Sequence, residues 1–251
     1  MADGSWLKAL ATRFTPRRVV LPARHAYALW ADVYPPTPHN PLMQAEQAAM
    51  APVIRSTSPM RALDVGTGSG RYLPLLAATG ARLVVGVDFS LPMLTRAPGS
   101  LDQRRARVCG DARCLPFGDA TFDLVTAGLM VGDVADLAAW TAEMSRVLAA
   151  GGHLVYSDFH PTWAARGWRR TFHAASGRAI ELAYHARSIA EHTTHLEACG
   201  FDVRQMLEQG LAREDRVDGR PEALVVAVFH AVKKRAQSCA LEPPRGAVHS
   251  G

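Results

Sequence analysis

The chain has 251 residues, 48% of them hydrophobic and 20% charged, so it can bury a full core and is not disordered throughout. It contains no apolar run long enough to span a membrane. The formal net charge of +5 would favour a nucleic-acid partner if it lay on the folded body. Residues 1–30 carry +4 and residues 231–251 carry +3, which leaves −2 on the body between them. We therefore expect no nucleic-acid partner.

The cysteines point to a reducing compartment. Cys109, Cys114, Cys199 and Cys239 form no Cys-x-x-Cys pair that would indicate zinc, and their spacing is unlike a secreted disulfide framework. The first 30 residues lack the apolar stretch of a secretory signal. We expect a cytoplasmic protein without a metal site or a membrane span, and the sequence indicates no particular oligomeric state.

Short apolar runs alternate with amphipathic stretches from residue 61 onward, which is typical of parallel strands covered by helices. A helix over residues 42–57 precedes the first run, and the clearest helix spans residues 137–148 and ends near two glycines. The predicted strands are residues 61–65, 82–88, 106–109, 122–127, 153–157, 201–208 and 223–229. No helix separates the last two strands, which predicts an antiparallel hairpin. The predicted fold is α/β: a three-layer sandwich around a Rossmann-like, mostly parallel seven-stranded sheet with an antiparallel last strand.

A glycine-rich turn follows the first predicted strand, where residues 63–70 read Leu-Asp-Val-Gly-Thr-Gly-Ser-Gly. Such a turn before a helix lets backbone N–H groups approach a ligand, although ordinary tight connections also use glycine. A dinucleotide-binding motif would need a third glycine at position 71, where the chain has Arg71. Asp64 at the strand end would repel a pyrophosphate but would suit a cationic amino-acid group.

Two more acids follow the next two strands. Asp88 ends the second strand, where a carboxylate can accept hydrogen bonds from ribose hydroxyls, and Asp111 follows the third strand. Acids at three successive strand ends indicate a nucleoside ligand. A nucleoside that carries a cationic amino-acid group is S-adenosylmethionine.

The chain resembles the class I S-adenosylmethionine-dependent methyltransferases, in the small single-domain branch that includes ubiquinone/menaquinone and malonyl-carrier-protein methyltransferases. The resemblance covers about residues 61–158, and its motifs in order are residues 63–70, 85–90 with Met93, 110–117, 122–125 and 146–152. It implies a methyltransferase domain (42–232) with an acceptor lid at about 159–190. The charge count indicates an N-terminal basic segment and cap (1–41), and the absence of any periodicity predicts a flexible tail (233–251).

The resemblance also implies which residues bind the cofactor. Gly66, Gly68 and Gly70 would line its methionine part, Asp64 would hold the amino group and Asp88 the ribose. Around the adenine, Phe89 and Ser90 would flank the ring, Asp111 would accept from its amine and Ala112 would supply a backbone contact. Tyr27 would close over the cofactor, although simple packing explains it equally well. The full predicted set is Tyr27, Asp64, Gly66, Thr67, Gly68, Gly70, Asp88, Phe89, Ser90, Met93, Asp111, Ala112 and Gly128.

Acceptor-site candidates follow the fourth and fifth strands. His160 is the predicted general base, with a purely structural role before Pro161 as the alternative. His192 and His195 are spaced for one helix face, but without a third ligand they are interpreted as surface histidines. The predicted acceptor-binding residues are Tyr34, His39, Asp133, Asp158, Trp163, Arg169 and Arg170. Trp163 and the two arginines suit a flat anionic acceptor, whereas an amphipathic lid helix with its arginines in water and a plain linker around Tyr34 are the alternatives.

The favoured function is methyl transfer to a small-molecule acceptor, with oxygen slightly favoured over nitrogen or carbon as the acceptor atom. One alternative is carboxyl methylation of a substrate bound to an acyl carrier protein. Basic residues such as Arg166, Arg169 and Arg170 would bind the acidic carrier domain. The other alternative is a non-catalytic cofactor-binding assembly protein on the same fold.

Overall fold

The computed structural model describes residues 19–35, 37–96, 105–211 and 224–235. The strands in chain order are β1 (Val19–Leu21), β2 (Arg61–Val65), β3 (Leu83–Asp88), β4 (Arg105–Cys109), β5 (Phe122–Gly128), β6 (Leu148–Phe159), β7 (Thr171–His173), β8 (Ala179–Leu182), β9 (Phe201–Gly210) and β10 (Leu224–Lys233). The α-helices are α1 (Ala23–Trp30), α2 (Pro41–Arg55), α3 (Leu73–Ala78), α4 (Leu91–Thr95), α5 (Leu137–Val147), α6 (Thr162–Ala165) and α7 (Ile189–Ala198).

Seven strands form one sheet in the order β4-β3-β2-β5-β6-β10-β9. Neighbouring strands from β4 to β6 run parallel, and β10 runs antiparallel to both β6 and β9. The predicted fold is therefore confirmed, including the hairpin of the last two strands. The carboxyl ends of β2, β3 and β5 meet at one edge of the sheet, which is where open α/β sheets bind ligands.

Helices cover both faces of this sheet, and each face has its own apolar core. Met50 and Ile54 of α2 pack on one face, whereas Trp140 and Met144 of α5 pack on the other. Each of these helices begins at a polar cap: Asn40 Oδ1 accepts from Met43 N at 2.9 Å, and Asp136 Oδ1 accepts from Ala139 N at 2.9 Å. None of the described helices is long and apolar enough to cross a membrane.

The α5 boundary differs from the prediction. The helix ends at Val147 and β6 begins at once at Leu148, which pairs with Phe122 of β5. Gly151 does have the expected left-handed conformation, with φ +81°, but it lies inside the strand. The pairing with β5 therefore ends the helix earlier than the glycines would.

A second, three-stranded sheet in the order β1-β8-β7 was not predicted. β7 and β8 form an antiparallel hairpin in the lid, and β1 adds to β8 in parallel. Trp30 of α1 stacks on Phe172 of β7, with 4.5 Å between ring centroids. The cap before the domain and the lid after β6 are therefore joined. The alternative of an amphipathic lid helix that carries Arg169 and Arg170 is not formed, because the helix α6 ends at Ala165 and residues 171–173 are β7.

The ends of the chain are described only in part. β10 continues through Lys233, and the backbone N–H of Lys234 donates to Gly200 O at 2.9 Å, so the ordered chain extends past the predicted start of the tail. The rest of the predicted tail, residues 236–251, lies outside the described residues, as do the basic residues 1–18.

Candidate functional site

The glycine turn after β2 forms a close cradle. Gly66, Gly68 and Gly70 have φ values of +66°, +54° and +82°, which residues with a side chain rarely adopt. A Cβ on Gly66 would lie 2.7 Å from Met130 Cγ, so this position also has no room for one. The backbone N–H of Gly68 donates to Asp88 Oδ2 at 2.8 Å, which fixes the turn against the end of β3.

Asp64 lies almost fully buried at the bottom of this cradle, with 2% of its surface exposed. Thr126 Oγ1 donates to Asp64 Oδ1 at 2.8 Å. Burial raises the pKa of Asp64 to about 6, and hydrogen bonding opposes the rise. A cationic group bound beside Asp64 would stabilise its charged form, as the predicted interaction with the cofactor's amino group requires.

Asp88 is the second buried carboxylate, and it accepts from Gly68 N and from Ser90 N, each at 2.8 Å. Burial raises its pKa to about 6 as well. A carboxylate has about four lone-pair positions, so Asp88 retains capacity for two ribose hydroxyls. Phe89, Met93 and Ala112 also line the cavity and provide apolar surface for the adenine ring. This set of groups fits S-adenosylmethionine.

At the adenine end, Asp111 is exposed and already paired. Arg113 Nη2 lies 2.7 Å from Asp111 Oδ2, and hydrogen bonds from Arg113 lower the pKa of the carboxyl. The Asp111 carboxylate would therefore accept hydrogen bonds from Arg113 and from the adenine amine at the same time. Arg24 of α1 lies over the Phe89 ring at 5.4 Å, so the N-terminal cap also reaches this end.

One cavity of about 740 Å³ joins this cradle to the acceptor side. The predicted cofactor residues that line it are Tyr27, Asp64, Gly66, Thr67, Gly68, Asp88, Phe89, Met93, Asp111, Ala112 and Gly128. Its acceptor half has apolar and aromatic walls, formed by Tyr34, Leu42, Met43, Phe159, Trp163 and Trp168. The Trp163 ring lies 5.1 Å from Phe159 and 4.9 Å from Trp168, so the lid presents a continuous aromatic surface.

Tyr27, Asp133 and Arg170 form a buried cluster in the cavity wall, which we call the clasp. The Arg170 guanidinium pairs with Asp133 Oδ1 and donates to Tyr27 Oη at 2.5 Å. The Tyr27 hydroxyl in turn donates to Asp133 Oδ2 at 3.0 Å. The clasp joins α1, the turn Val131–Asp133 after β5 and the lid across the cavity. Arg170 is therefore buried and paired, whereas Arg169 has a 64% exposed side chain.

Five predicted site residues are not part of the cavity lining: Gly70, Ser90, His39, Asp158 and His160. His160 is 6% exposed, and its ring contacts Thr162 Oγ1 at 2.9 Å and Glu208 Oε1 at 2.6 Å. This placement favours the structural alternative, and we assign His160 no step in the reaction. Asp158 points away as well, with its Oδ2 3.4 Å from His192 Nε2.

The sequence prediction missed Arg71 and Glu46. Arg71 lines the cavity directly after the glycine turn, and its Nη1 lies 2.5 Å from Oε2 of the fully buried Glu46. The only sequence signal was a glutamate on the apolar face of α2.

Among the described residues, no group of three or more His, Cys, Asp or Glu side chains could hold a metal ion. His192 is 2% exposed, so its prediction as a surface histidine is wrong.

The comparisons agree with this geometry. The methyltransferase domain family matches residues 63–156. A demethylmenaquinone methyltransferase from Roseiflexus castenholzii is 48% identical over 94 residues, which are 37% of this chain and 40% of that protein. The chain thus spans less than half the length of the first curated relatives that it matches.

Two further comparisons extend over more of the chain. An S-adenosylmethionine-dependent methyltransferase structure from Mesorhizobium loti superimposes with a TM-score of 0.60 at 23% identity, covering 76% of this chain and all of that one. A demethylmenaquinone methyltransferase from Thermobifida fusca is 33% identical over 190 residues, which are 69% of this chain and 77% of that protein. The chain therefore belongs to the class I S-adenosylmethionine-dependent methyltransferases, which are enzymes that use S-adenosylmethionine as their cofactor.

Proposed function

We propose that this enzyme methylates a flat, apolar aromatic small molecule of the phenol or reduced-quinone class. The observation that carries this proposal is the aromatic wall of the acceptor half, with Phe159, Trp163 and Trp168 in mutual contact around the cavity. Aromatic faces bind flat rings by stacking and exclude water from the reaction.

The choice of acceptor atom is supported by the names of the relatives rather than by the cavity. The relatives above are named demethylmenaquinone methyltransferases, and this name supports a quinone-type ring as acceptor. It favours a ring carbon over the oxygen atom that the sequence favoured. The wall suits either atom, because both lie in the plane of the same ring.

The chain's own residues would orient the reactants and take up a proton. When bound, S-adenosylmethionine supplies an electrophilic methyl group on sulfur. Asp64 would hold the amino group of the cofactor and Asp88 its ribose, which would fix the cofactor in one position beside the acceptor half of the cavity. Asp133 lines the cavity with a carboxylate that is 3% exposed, and we assign it the uptake of the proton that an acceptor hydroxyl loses. The loss of that proton makes the ring more nucleophilic.

Asp133 is suited to this step by its surroundings. Burial raises its pKa, while the Arg170 guanidinium opposes the rise and keeps the carboxylate available as a base. Tyr27 Oη donates to the same carboxylate and so holds its orientation. After the transfer, one proton has been released for each methyl group.

The test is a methylation assay with acceptors of different shape. The panel contains a reduced naphthoquinone, a catechol, a small aliphatic acid and an acyl carrier protein loaded with a malonyl group, with product mass measured for each. We expect methylated product from the two aromatic acceptors, and the position of the new methyl group on the quinone decides between carbon and oxygen. Methylation of the carrier-bound acid alone would overturn the proposal. Cofactor binding without any product would support the non-catalytic alternative.

A further inference from the structure

Arg71 is a cavity residue whose guanidinium is held on one side only. Its Nη1 lies 2.5 Å from Glu46 Oε2, and its guanidinium carbon lies 4.5 Å from the centre of the Tyr72 ring. Glu46 is fixed in turn, because Ser157 Oγ donates to Glu46 Oε1 at 2.7 Å. Arg71 therefore has one defined position with a 10% exposed side chain.

The other amino group of this guanidinium lies beside the end of β5. A Cβ on Gly128 would be 3.0 Å from Arg71 Nη2, and Gly128 itself lines the cavity. Within the part of the chain that the structure describes, Nη2 donates to no hydrogen-bond acceptor. A charged donor with a free hydrogen-bonding position thus lies between the glycine turn and the acceptor wall.

The other arginines of the cavity are engaged elsewhere. Arg170 belongs to the clasp, Arg113 pairs with Asp111, and Arg24 lies over Phe89 at the adenine end. The fourth, Arg169, has a 64% exposed side chain whose Nε lies 3.8 Å from Glu181 Oε1. Arg71 also lies close enough to Asp64 to matter electrostatically: burial raises the pKa of Asp64, and the Arg71 charge opposes that rise. Arg71 is therefore the arginine of the cavity whose charge acts on Asp64, the residue predicted to hold the cofactor's amino group.

We propose that Arg71 binds the α-carboxylate of the cofactor's methionine part through Nη2. This inference rests on S-adenosylmethionine as the cofactor and is independent of the acceptor proposed above. An α-amino acid carries its ammonium and carboxylate on the same carbon. If Asp64 binds the ammonium, a cation close to Asp64 is needed to bind the carboxylate.

Glu46 balances the positive charge of Arg71 in this site. An uncompensated guanidinium would repel the positive sulfonium of the cofactor in a poorly solvated cavity. The fully buried Glu46 carboxylate neutralises Arg71 from the side away from the cavity. The pair can thus offer hydrogen bonds to a carboxylate without adding net charge next to the methyl group.

The test compares two ligands that differ in the amino-acid part. S-adenosylhomocysteine carries the α-carboxylate and 5′-methylthioadenosine lacks it, and calorimetry measures the Kd of each. In Arg71→Met the Kd of S-adenosylhomocysteine should rise by about tenfold or more, as expected for loss of a charged hydrogen bond. The Kd of 5′-methylthioadenosine should remain unchanged, and Arg71→Lys should restore part of the loss.

The controls separate this role from a structural one. Arg71→Met combined with Glu46→Gln removes the buried charge that the single variant leaves behind, and it should show the same loss for S-adenosylhomocysteine alone. Arg113→Gln, at the adenine end, should not discriminate between the two ligands. Equal weakening of both ligands by the double variant, or of neither, would overturn the proposal. Failure of the unmodified enzyme to bind either ligand would instead refute the cofactor assignment.

Discussion

Arg170 of the lid pairs with Asp133 in the turn after β5, and both side chains are almost fully buried, with 8% and 3% exposure. Removing one partner of such a pair leaves an uncompensated charge in the interior. Arg170→Gln should therefore lower the free energy of unfolding by about 3–5 kcal/mol. Urea denaturation measures this value.

The adjacent arginine is a matched control for this prediction. Arg169 is 64% exposed, and its Nε lies 3.8 Å from Glu181 Oε1. Surface pairs of this kind contribute at most about 1 kcal/mol, so Arg169→Gln should change stability little. Equal effects of the two substitutions would show that the clasp does not stabilise the lid.

Gly66→Ala should prevent cofactor binding, because the new Cβ would lie 2.7 Å from Met130 Cγ in a backbone conformation with φ +66°. Gly80→Ala provides the comparison: Gly80 has φ +87°, but a Cβ there meets nothing within 4 Å. Gly80→Ala should cost only the conformational strain, on the order of 1–2 kcal/mol, with cofactor affinity preserved. Thermal unfolding and calorimetry with S-adenosylhomocysteine measure the two effects. Normal affinity in Gly66→Ala would contradict the assignment of the cradle.

Cofactor affinity should fall as the pH drops through about 6. Burial raises the pKa of Asp64 and of Asp88 to about 6, and both must be ionised to hold their ligands. The Kd of S-adenosylhomocysteine should therefore be constant above this value and rise below it. The Kd of 5′-methylthioadenosine should rise less steeply, because it has no amino group to meet Asp64. Identical pH profiles would argue against that role of Asp64.

Ionisation of Asp64 and Asp88 strengthens cofactor binding but should destabilise the ligand-free protein. Their pKa values are raised from 3.8, so the folded state binds more protons than the unfolded state between pH 3.8 and about 6. Their contribution to the free energy of unfolding should decrease as the pH rises across this interval. Denaturation at several pH values with Asp64→Asn as reference measures it.

Asp133→Asn should lower kcat by about a hundredfold or more if Asp133 takes up the acceptor's proton. His160→Gln should leave kcat nearly unchanged, because the His160 ring contacts Thr162 and Glu208 rather than the cavity. Steady-state kinetics with the reduced quinone compares the two variants. The reverse ranking would restore His160 as the base.

The main sheet could be predicted from the sequence because most of its parallel strands are covered on both faces. The strands β2, β3 and β5 are thus almost continuously apolar, and their carboxyl ends carry the polar cofactor residues. β10 reads as a similar apolar run. Asp64 and Asp88 could be predicted as site residues because a carboxylate at the end of a buried strand is unfavourable unless it binds a partner.

The acceptor side of the cavity was less predictable, because the direction of each side chain decides which residues line it. Successive residues of β6 point to opposite faces, so Ser157 contacts Glu46 while Asp158 turns toward His192. Arg170 is buried through a partner 37 residues away in the chain, which local pattern cannot reveal. β7 and β8 have only three and four residues, and they exist as strands because they pair with each other and with β1.

The pairing of β1 with β8 has a consequence for the order of events in a catalytic cycle. The helix α1, which carries the predicted cofactor residue Tyr27, leads from a strand of the same small sheet that contains the lid hairpin. We therefore expect the helix and the hairpin to move as one body, so that an opening that admits an acceptor also uncovers the cofactor. We expect the methylated product and the spent cofactor to leave during a single opening, without a stage in which one compartment is open and the other sealed.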